Sequence, residues 1–322
     1  MTSTSTTVSV KIKQSRRPKF RRASDDVRFR LQERDLQIVL AVWRYRFLSS
    51  DILTAIISGS PQRILRRLNL LFHAGYLDRP REQIKPWQSG SSPMVYGLGN
   101  KGVDMLSEQF GFPRQHIDWT SKNRDSKELY IAHTLMIATF LVSLKLACER
   151  QSGIEFIEQS RIVQGEPILK VNFNREVNGR MENVRFNLIP DCLFGLRLLN
   201  EPSDRSRAFF LGEMDRATMP ILRSDFYRSS ILKKIVGYRH CKNTGAFKKT
   251  FGFENPRIVT VTTSHERIDN MIAACRKIYG DSKGAGMFLF STADNFTPRN
   301  VENVLRPIWR NAADDKLVGI LD

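Results

Sequence analysis

From Glu33 onward, apolar positions recur at spacings of three and four. Leu36, Val39, Leu40, Trp43 and Phe47 would share one side of a helix with that period. Ser49-Ser50-Asp51 reads as a helix start, opening the short apolar run Ile52-Leu53-Thr54-Ala55-Ile56-Ile57. Gly59-Ser60-Pro61 breaks the chain, and Pro61 suits the first turn of a third helix, where its missing N–H costs nothing. In that helix Leu65, Leu68, Leu71 and Phe72 form the predicted buried stripe. Arg63, Arg66 and Arg67 lie largely off it, and Gly75 is placed to cap it. Tyr76 to Arg79 and Met94 to Leu98 read as strands around a polar turn region, with a further helix from Val103 to Phe110. Three helices, a two-stranded wing and a trailing helix make a winged helix-turn-helix domain.

The remaining pattern is α/β. A long apolar helix is predicted over Glu128 to Arg150. Strands follow over Ile154 to Val163, Val184 to Leu199 (interrupted) and Ala208 to Met214. Then come a helix over Leu222 to His240, a strand over Arg257 to Thr263, a helix over His265 to Tyr279 and a strand over Met287 to Ser291. Strands in this order can share one mixed sheet. Gly111, Pro113, Ser121, Asn123 and Ser126 mark an interdomain linker. The expected layout is a basic disordered arm over 1–30, the winged helix over 31–110, the linker over 111–127 and a mixed-sheet α/β domain over 128–322.

Charge changes this picture. Lys and Arg total 51 against 33 Asp and Glu, a formal net charge of +18. That favours a polyanionic partner, nucleic acid or an anionic membrane surface. The apolar stretch from Leu129 to Ala147 contains His133 and Lys145 and is short for a bilayer span, so a buried helix is expected and no membrane partner. The first residues lack the apolar core of a signal peptide. Cys148, Cys192, Cys241 and Cys275 have no zinc-like spacing and read as reduced thiols of a cytoplasmic protein.

Within the first domain the basic residues have a specific use. A recognition helix packs its apolar face on the domain and sends arginines into the major groove, where they contact guanine O6 and N7. Arg63, Arg66 and Arg67 are candidates for that role. Arg79, Arg81 and Lys85 on the wing are candidates for phosphate or minor-groove contact, and the arm for a third basic element. A solvated basic face and a solubilising tail would show the same residues. Trp87 in the wing suits stacking on a base or simple packing. Double-stranded DNA is the expected partner. RNA is disfavoured because a paired helix and wing suits B-form grooves.

The second domain carries a carboxylate pattern. Ile189-Pro190-Asp191 opens an apolar run, and Phe209-Phe210-Leu211-Gly212 leads into Glu213-Met214-Asp215. Strand alternation turns Glu213 and Asp215 to one side. With a carboxylate from a neighbouring strand they can share a divalent cation, which takes oxygen ligands and activates water for phosphodiester hydrolysis. Lys234 and Tyr238 stand one helical turn apart on one face. The plainer reading pairs Glu213 and Asp215 with Arg216, Arg223 or another basic group. His133 reads as a hydrogen-bonded core histidine.

Residues 33–100, Pro190-Asp191, the block Glu213-Met214-Asp215-Arg216-Ala217-Thr218 and Lys234…Tyr238 together resemble the replication-relaxation family of plasmids and other bacterial mobile elements. The resemblance implies a winged helix joined to a restriction-endonuclease-like fold of the PD-(D/E)xK group. It matches Asp191 and Glu213 to that group's Mg²⁺-binding carboxylates. The group's lysine stands two residues after the Glu, where this chain has Asp215; Lys234 is the candidate replacement. The implied candidates for catalysis are therefore Asp191, Glu213, Asp215 and Lys234, with Mg²⁺ as cofactor only if the site is active. The resulting expectation is an accessory or regulatory DNA-binding protein, docking on an origin or operator, with a non-catalytic nuclease-like clamp or dimerisation module. Replication or mobilisation proteins and a second copy of the chain are the further expected partners. The alternative is a Mg²⁺-dependent endonuclease or nickase.

Overall fold

The structure, a computed structural model, describes residues 18–23, 30–83, 92–114, 126–177, 179–202, 206–223, 225, 227–280 and 283–322. The first part of the chain runs α1 (Glu33–Tyr45), β1 (Leu48–Ser49), α2 (Ser50–Ile56), α3 (Pro61–Ala74), β2 (Leu77–Asp78), β3 (Val95–Leu98) and α4 (Asn100–Phe110). The three strands form one small antiparallel sheet in the order β1-β3-β2. Pro61 opens α3, and Gly75 ends it in the left-handed conformation at φ 91°, which only glycine adopts without strain. The buried positions of α3 are Ile64, Leu68, Leu71, Phe72 and His73. Leu65, expected inside, is 45% exposed because Ile64 takes the inner position one residue earlier.

Part of the expected disordered arm is ordered. Arg22 donates to Asp78 Oδ1 at 2.5 Å and to the Phe72 carbonyl at 3.1 Å, and the Ala23 N–H donates to His73 Nδ1 at 3.0 Å. The segment 18–23 therefore lies across the end of α3 and the start of the hairpin. Positions 1–17, 84–91 and 115–125 hold much of the arm, the hairpin turn with Lys85 and Trp87, and most of the expected linker. They lie outside the described residues.

The second part is α/β. A seven-stranded mixed sheet has the order β12-β11-β10-β9-β8-β7-β4. Its strands are β4 (Ile154–Ile157), β7 (Cys192–Leu198), β8 (Arg207–Met214), β9 (Arg257–Thr262), β10 (Phe288–Thr292), β11 (Trp309–Asn311) and β12 (Leu317–Val318). β8, β9 and β10 are parallel, joined through helices, and the flanking pairs are antiparallel. Helices α6 (Ile231–Asn243), α7 (Ala246–Phe251) and α8 (His265–Tyr279) cover one face over Leu193, Leu211, Ile258 and Phe288. On the other face, α5 (Glu128–Arg150) packs Phe140, Leu144 and Cys148 against Phe194, Phe210 and Val259.

The structure departs from the sequence expectations at three elements. The strand expected to Val163 ends at Ile157. The helix expected from Leu222 begins at Ile231, where Ser230 caps it by accepting from the Lys233 N–H at 3.1 Å. A two-stranded antiparallel ribbon, β5 (Leu169–Val177) with β6 (Arg180–Leu188), packs on α6, and β5 was not foreseen. Its sequence alternates apolar Leu169, Val171 and Phe173 with polar Lys170, Asn172 and Asn174, a half-buried strand signal. Gly237 on α6 allows a close approach here, since a Cβ would stand 3.1 Å from the side chains of Phe186 and Leu188.

Helix α5 belongs to both parts. It turns Ala138 and Val142 into the first core, beside Ile52 and Leu53, while Phe140 and Leu144 enter the sheet core. By length and composition alone this helix passes as a membrane span. Apolar residues on two of its sides are instead used by two cores, which explains why its sequence is apolar nearly all round.

Candidate functional site

Of the six basic residues read as DNA contacts in the first domain, Lys85 lies outside the described residues and the structure divides the other five. Arg63 and Arg66 are exposed on α3, and Arg81 is exposed after β2; none makes a hydrogen bond or ion pair among the described residues. Arg67 is not a free reader. Its Nε donates to Oδ1 of the fully buried Asp35 at 2.8 Å and its Nη2 bonds Oδ2, a two-point clamp between α3 and α1. Arg79 is only 8% exposed. It lies over the Phe72 ring at 4.1 Å and the Tyr96 ring at 5.1 Å and donates to Asn69 and Tyr96. Both were expected to face DNA and instead hold the domain together. An arginine off the apolar stripe can still be buried by a carboxylate or ring brought in from distant sequence.

The carboxylates gather at one end of the large sheet. The β7–β8 register pairs Cys192 with Gly212, so Asp191 and Glu213 are the next opposed positions. Glu213, nearly fully buried, faces α6. Lys234 donates to its Oε2 and Tyr238 to its Oε1 at 2.5 Å. The shared helix face read from the sequence thus converges on one carboxylate. Lys233, on another face, lies over the Phe186 ring at 4.6 Å. Asp191 Oδ2 accepts from the Met214 N–H at 2.7 Å, and its Oδ1 lies 3.2 Å from His133 Nε2.

His133 was expected in a core. It is one-third exposed and bonded to Asp191 instead, so α5 contributes to this site. Spacing alone could not reveal this: 58 positions separate the two residues.

Asp215 is diverted. Thr262 Oγ1 donates to its Oδ2 at 2.7 Å, and Arg267 engages both its oxygens, Nη2 to Oδ1 at 2.8 Å. It was expected to join Glu213, and alternation does put both toward the helices. Arg267, at the start of α8, neutralises it there. Neither Arg216 nor Arg223 is that partner; Arg216 donates to the Leu129 carbonyl. The role of Arg267 was not legible, because only the fold brings α8 to the end of β8.

Electrostatics follow from these contacts. Burial opposes ionisation of Asp191, but the His133 bond, the Lys234 charge and the Met214 N–H together hold its carboxyl below the ordinary value. Burial raises Glu213, against the lowering pull of Lys234. Burial alone would lower Lys234, but Glu213 and Asp191 overcome that and raise it. Burial and the facing Glu213 carboxylate push Tyr238 well above its ordinary value.

A resident divalent cation needs several oxygen ligands free to turn to it. Here Oδ1 and Oδ2 of Asp191 and Oε1 and Oε2 of Glu213 all have protein partners. Among the described residues no group of three or more His, Cys, Asp or Glu side chains gathers as a cation site. The arrangement does not fit a resident Mg²⁺. Lys234 supplies the positive charge internally. Asp191 also lines a cleft of about 690 Å³ between α1, α5 and the sheet, which neither Glu213 nor Lys234 reaches.

The decisive comparison is with family models, where the replication-relaxation model matches residues 40–256, more than half of the chain. This chain belongs to the replication-relaxation family. Membership points to a replication-related role in mobile elements. The match runs from the second half of α1 through α3, α5, the site carboxylates and α6, and ends just before β9. No curated protein and no solved structure matches the chain.

Proposed function

We propose that this replication-relaxation protein is a double-stranded DNA-binding accessory factor. Its first domain works as a winged helix-turn-helix, with α3 entering the major groove of an origin or operator. The observation that carries this reading is the separation of roles on α3. Arg67 is clamped to Asp35, while Arg63 and Arg66, in the first half of the helix, are exposed beside the exposed Leu65 and have no partner among the described residues. The N-terminal residues of a recognition helix are the ones that reach base edges. Arginine suits guanine there, and an apolar side chain suits the thymine methyl. Arg81 and the arm add phosphate contacts, and the net charge of +18 favours the encounter. The protein works in the cytoplasm, on plasmid or other mobile DNA. Its α/β domain is a nuclease-like module without the reaction, serving as a clamp or dimerisation surface. The occupied oxygens of Asp191 and Glu213 support that part.

One observation favours a second reading, a PD-(D/E)xK endonuclease or nickase. Asp191 and Glu213 stand opposed on neighbouring strands with a lysine on the glutamate. In that reading Asp191 and Glu213 would be the residues to hold Mg²⁺, which would supply water activation, with Lys234 as the neighbouring positive charge. The test is a duplex-binding assay with and without Mg²⁺ that follows plasmid cleavage in the same tube. Binding without cleavage supports the accessory factor. Cleavage lost in Asp191→Ala with Glu213→Ala establishes the nuclease. No binding to any duplex removes both.

A further inference from the structure

The ribbon β5–β6 has two unlike faces. Its inner row, Leu169, Val171 and Phe173 with Val184, Phe186 and Leu188, packs toward α6. Its outer row is a run of cross-strand pairs: Lys170 opposite Asn187, Asn172 opposite Arg185, and Asn174 opposite Asn183. All six are exposed. The amides are ordered by one another. Asn183 Nδ2 donates to Asn172 Oδ1 at 2.9 Å and to Asn174 Oδ1 at 2.7 Å, and Arg185 Nε donates to Asn183 Oδ1 at 2.6 Å. The Nδ2 groups of Asn172 and Asn174 donate to nothing else among the described residues.

This pattern is costly as an idle surface. Asn is disfavoured in strands, where β-branched and aromatic residues pack better. Four of the six outer positions carry it. The face has none of the aromatic anchors that protein interfaces concentrate. Its one large apolar residue, Met181, sits opposite Glu176 beyond the amide run. Lys170 and Arg185 make the six-residue run positive, with no acid in it. A two-stranded ribbon fits the B-DNA major groove, Asn bonds adenine N6 and N7, and Arg bonds guanine O6 and N7. The run spans positions 170–174 and 183–187, about 13 Å at about 3.3 Å per residue, long enough to follow about four base pairs.

We propose that the outer face of this ribbon is a second sequence-reading element, entering the major groove of duplex DNA with Asn172, Asn174 and Arg185 at base edges, Asn183 holding those three in place through its own amide, and Lys170 on phosphate. The proposal rests on the duplex-binding reading above and adds a second recognition block to it. An adenine-rich block with an adjacent guanine is the chemistry these side chains match.

The experiment selects duplexes from a randomised double-stranded DNA library with the full chain, then measures affinities by fluorescence anisotropy. The wild type should yield two separate blocks of base preference. Asn172→Ala with Asn174→Ala and Asn183→Ala should erase one block. It should also weaken binding to the selected duplex about tenfold or more, as removing bidentate hydrogen bonds to bases implies, while random duplex is bound as before. Arg185→Lys keeps the charge but not the planar fork, and should lose the guanine of that block alone. These side chains are exposed, and matching thermal melts would show the fold intact. An unchanged motif and affinity in both variants overturns the proposal. So does an equal loss on every sequence, which would mean phosphate contact only. A wild type that yields one block, dependent on Arg63 and Arg66, also overturns it and leaves the α3 reading standing. A wild type that binds no duplex overturns both.

Discussion

Lys234 and Glu213 form an ion pair beneath the end of the large sheet, and Tyr238 completes it from one turn further along the same helix. Two carboxylates opposed on adjacent strands would repel if ionised without a counter-charge. The chain supplies that charge from its own helix. Lys234→Met should therefore destabilise the fold by roughly 3 kcal/mol, because it strands a buried carboxylate. Adding Glu213→Gln should recover most of the loss, since the amide is neutral and Tyr238 can still donate to its oxygen. Urea denaturation of the single and double variants measures both.

Arg67 and Asp35 form the corresponding lock in the first domain, with Asp35 fully buried. Arg67→Ala should cost about 3 kcal/mol of stability through the unpaired aspartate. Arg66→Ala, one position earlier and exposed, should stay within about 0.5 kcal/mol of the wild type. Thermal or chemical denaturation separates the two. Equal effects would mean that the clamp does not form.

Asp191 gives a pH dependence with a definite sign. Its folded-state acidity is stronger than its ordinary value of 3.8, owing to His133, Lys234 and the Met214 N–H acting against burial. Its contribution to stability is present above that ordinary value and is lost as the pH falls through the lower folded-state value. His133→Gln should move the Asp191 carboxyl back up and soften this acid response. Carbon NMR titration of the labelled aspartate, wild type against variant, reads the shift directly.

Much of the fold was legible because local rules govern it. Pro61 and Gly75 delimit α3, the α8 boundaries follow from its period, and the break at Pro190 separates β6 from β7. The face shared by Lys234 and Tyr238 was also legible, since four residues make a helical turn. What escaped the sequence was set by distant approach. Arg67 meets Asp35 across 32 positions, and Arg267 meets Asp215 across 52. Such pairings decide whether an arginine faces solvent or a buried acid, and no spacing rule reaches them. Strand β5 is different: its alternation is present in the sequence, and only the amide-rich outer row disguised it.

The arm should act mainly through charge. Lys11, Lys13, Arg16 and Arg17 precede the docked segment that carries Arg22. Deleting residues 1–17 should leave the Arg22–Asp78 pair intact and weaken binding to all duplexes alike. The slope of log affinity against log salt should flatten by up to about 0.9 for each phosphate that the arm no longer neutralises. An unchanged slope would show that the arm takes no part in binding.

The central claim is that α3 reads duplex DNA through Arg63 and Arg66. The most direct test is the affinity of the Arg63→Ala, Arg66→Ala double variant for a duplex selected by the wild type, at fixed salt, beside a random duplex. The account predicts a loss of about tenfold or more on the selected duplex, a much smaller change on the random one, and an unchanged melting temperature. A folded double variant that binds the selected duplex as tightly as the wild type would contradict it.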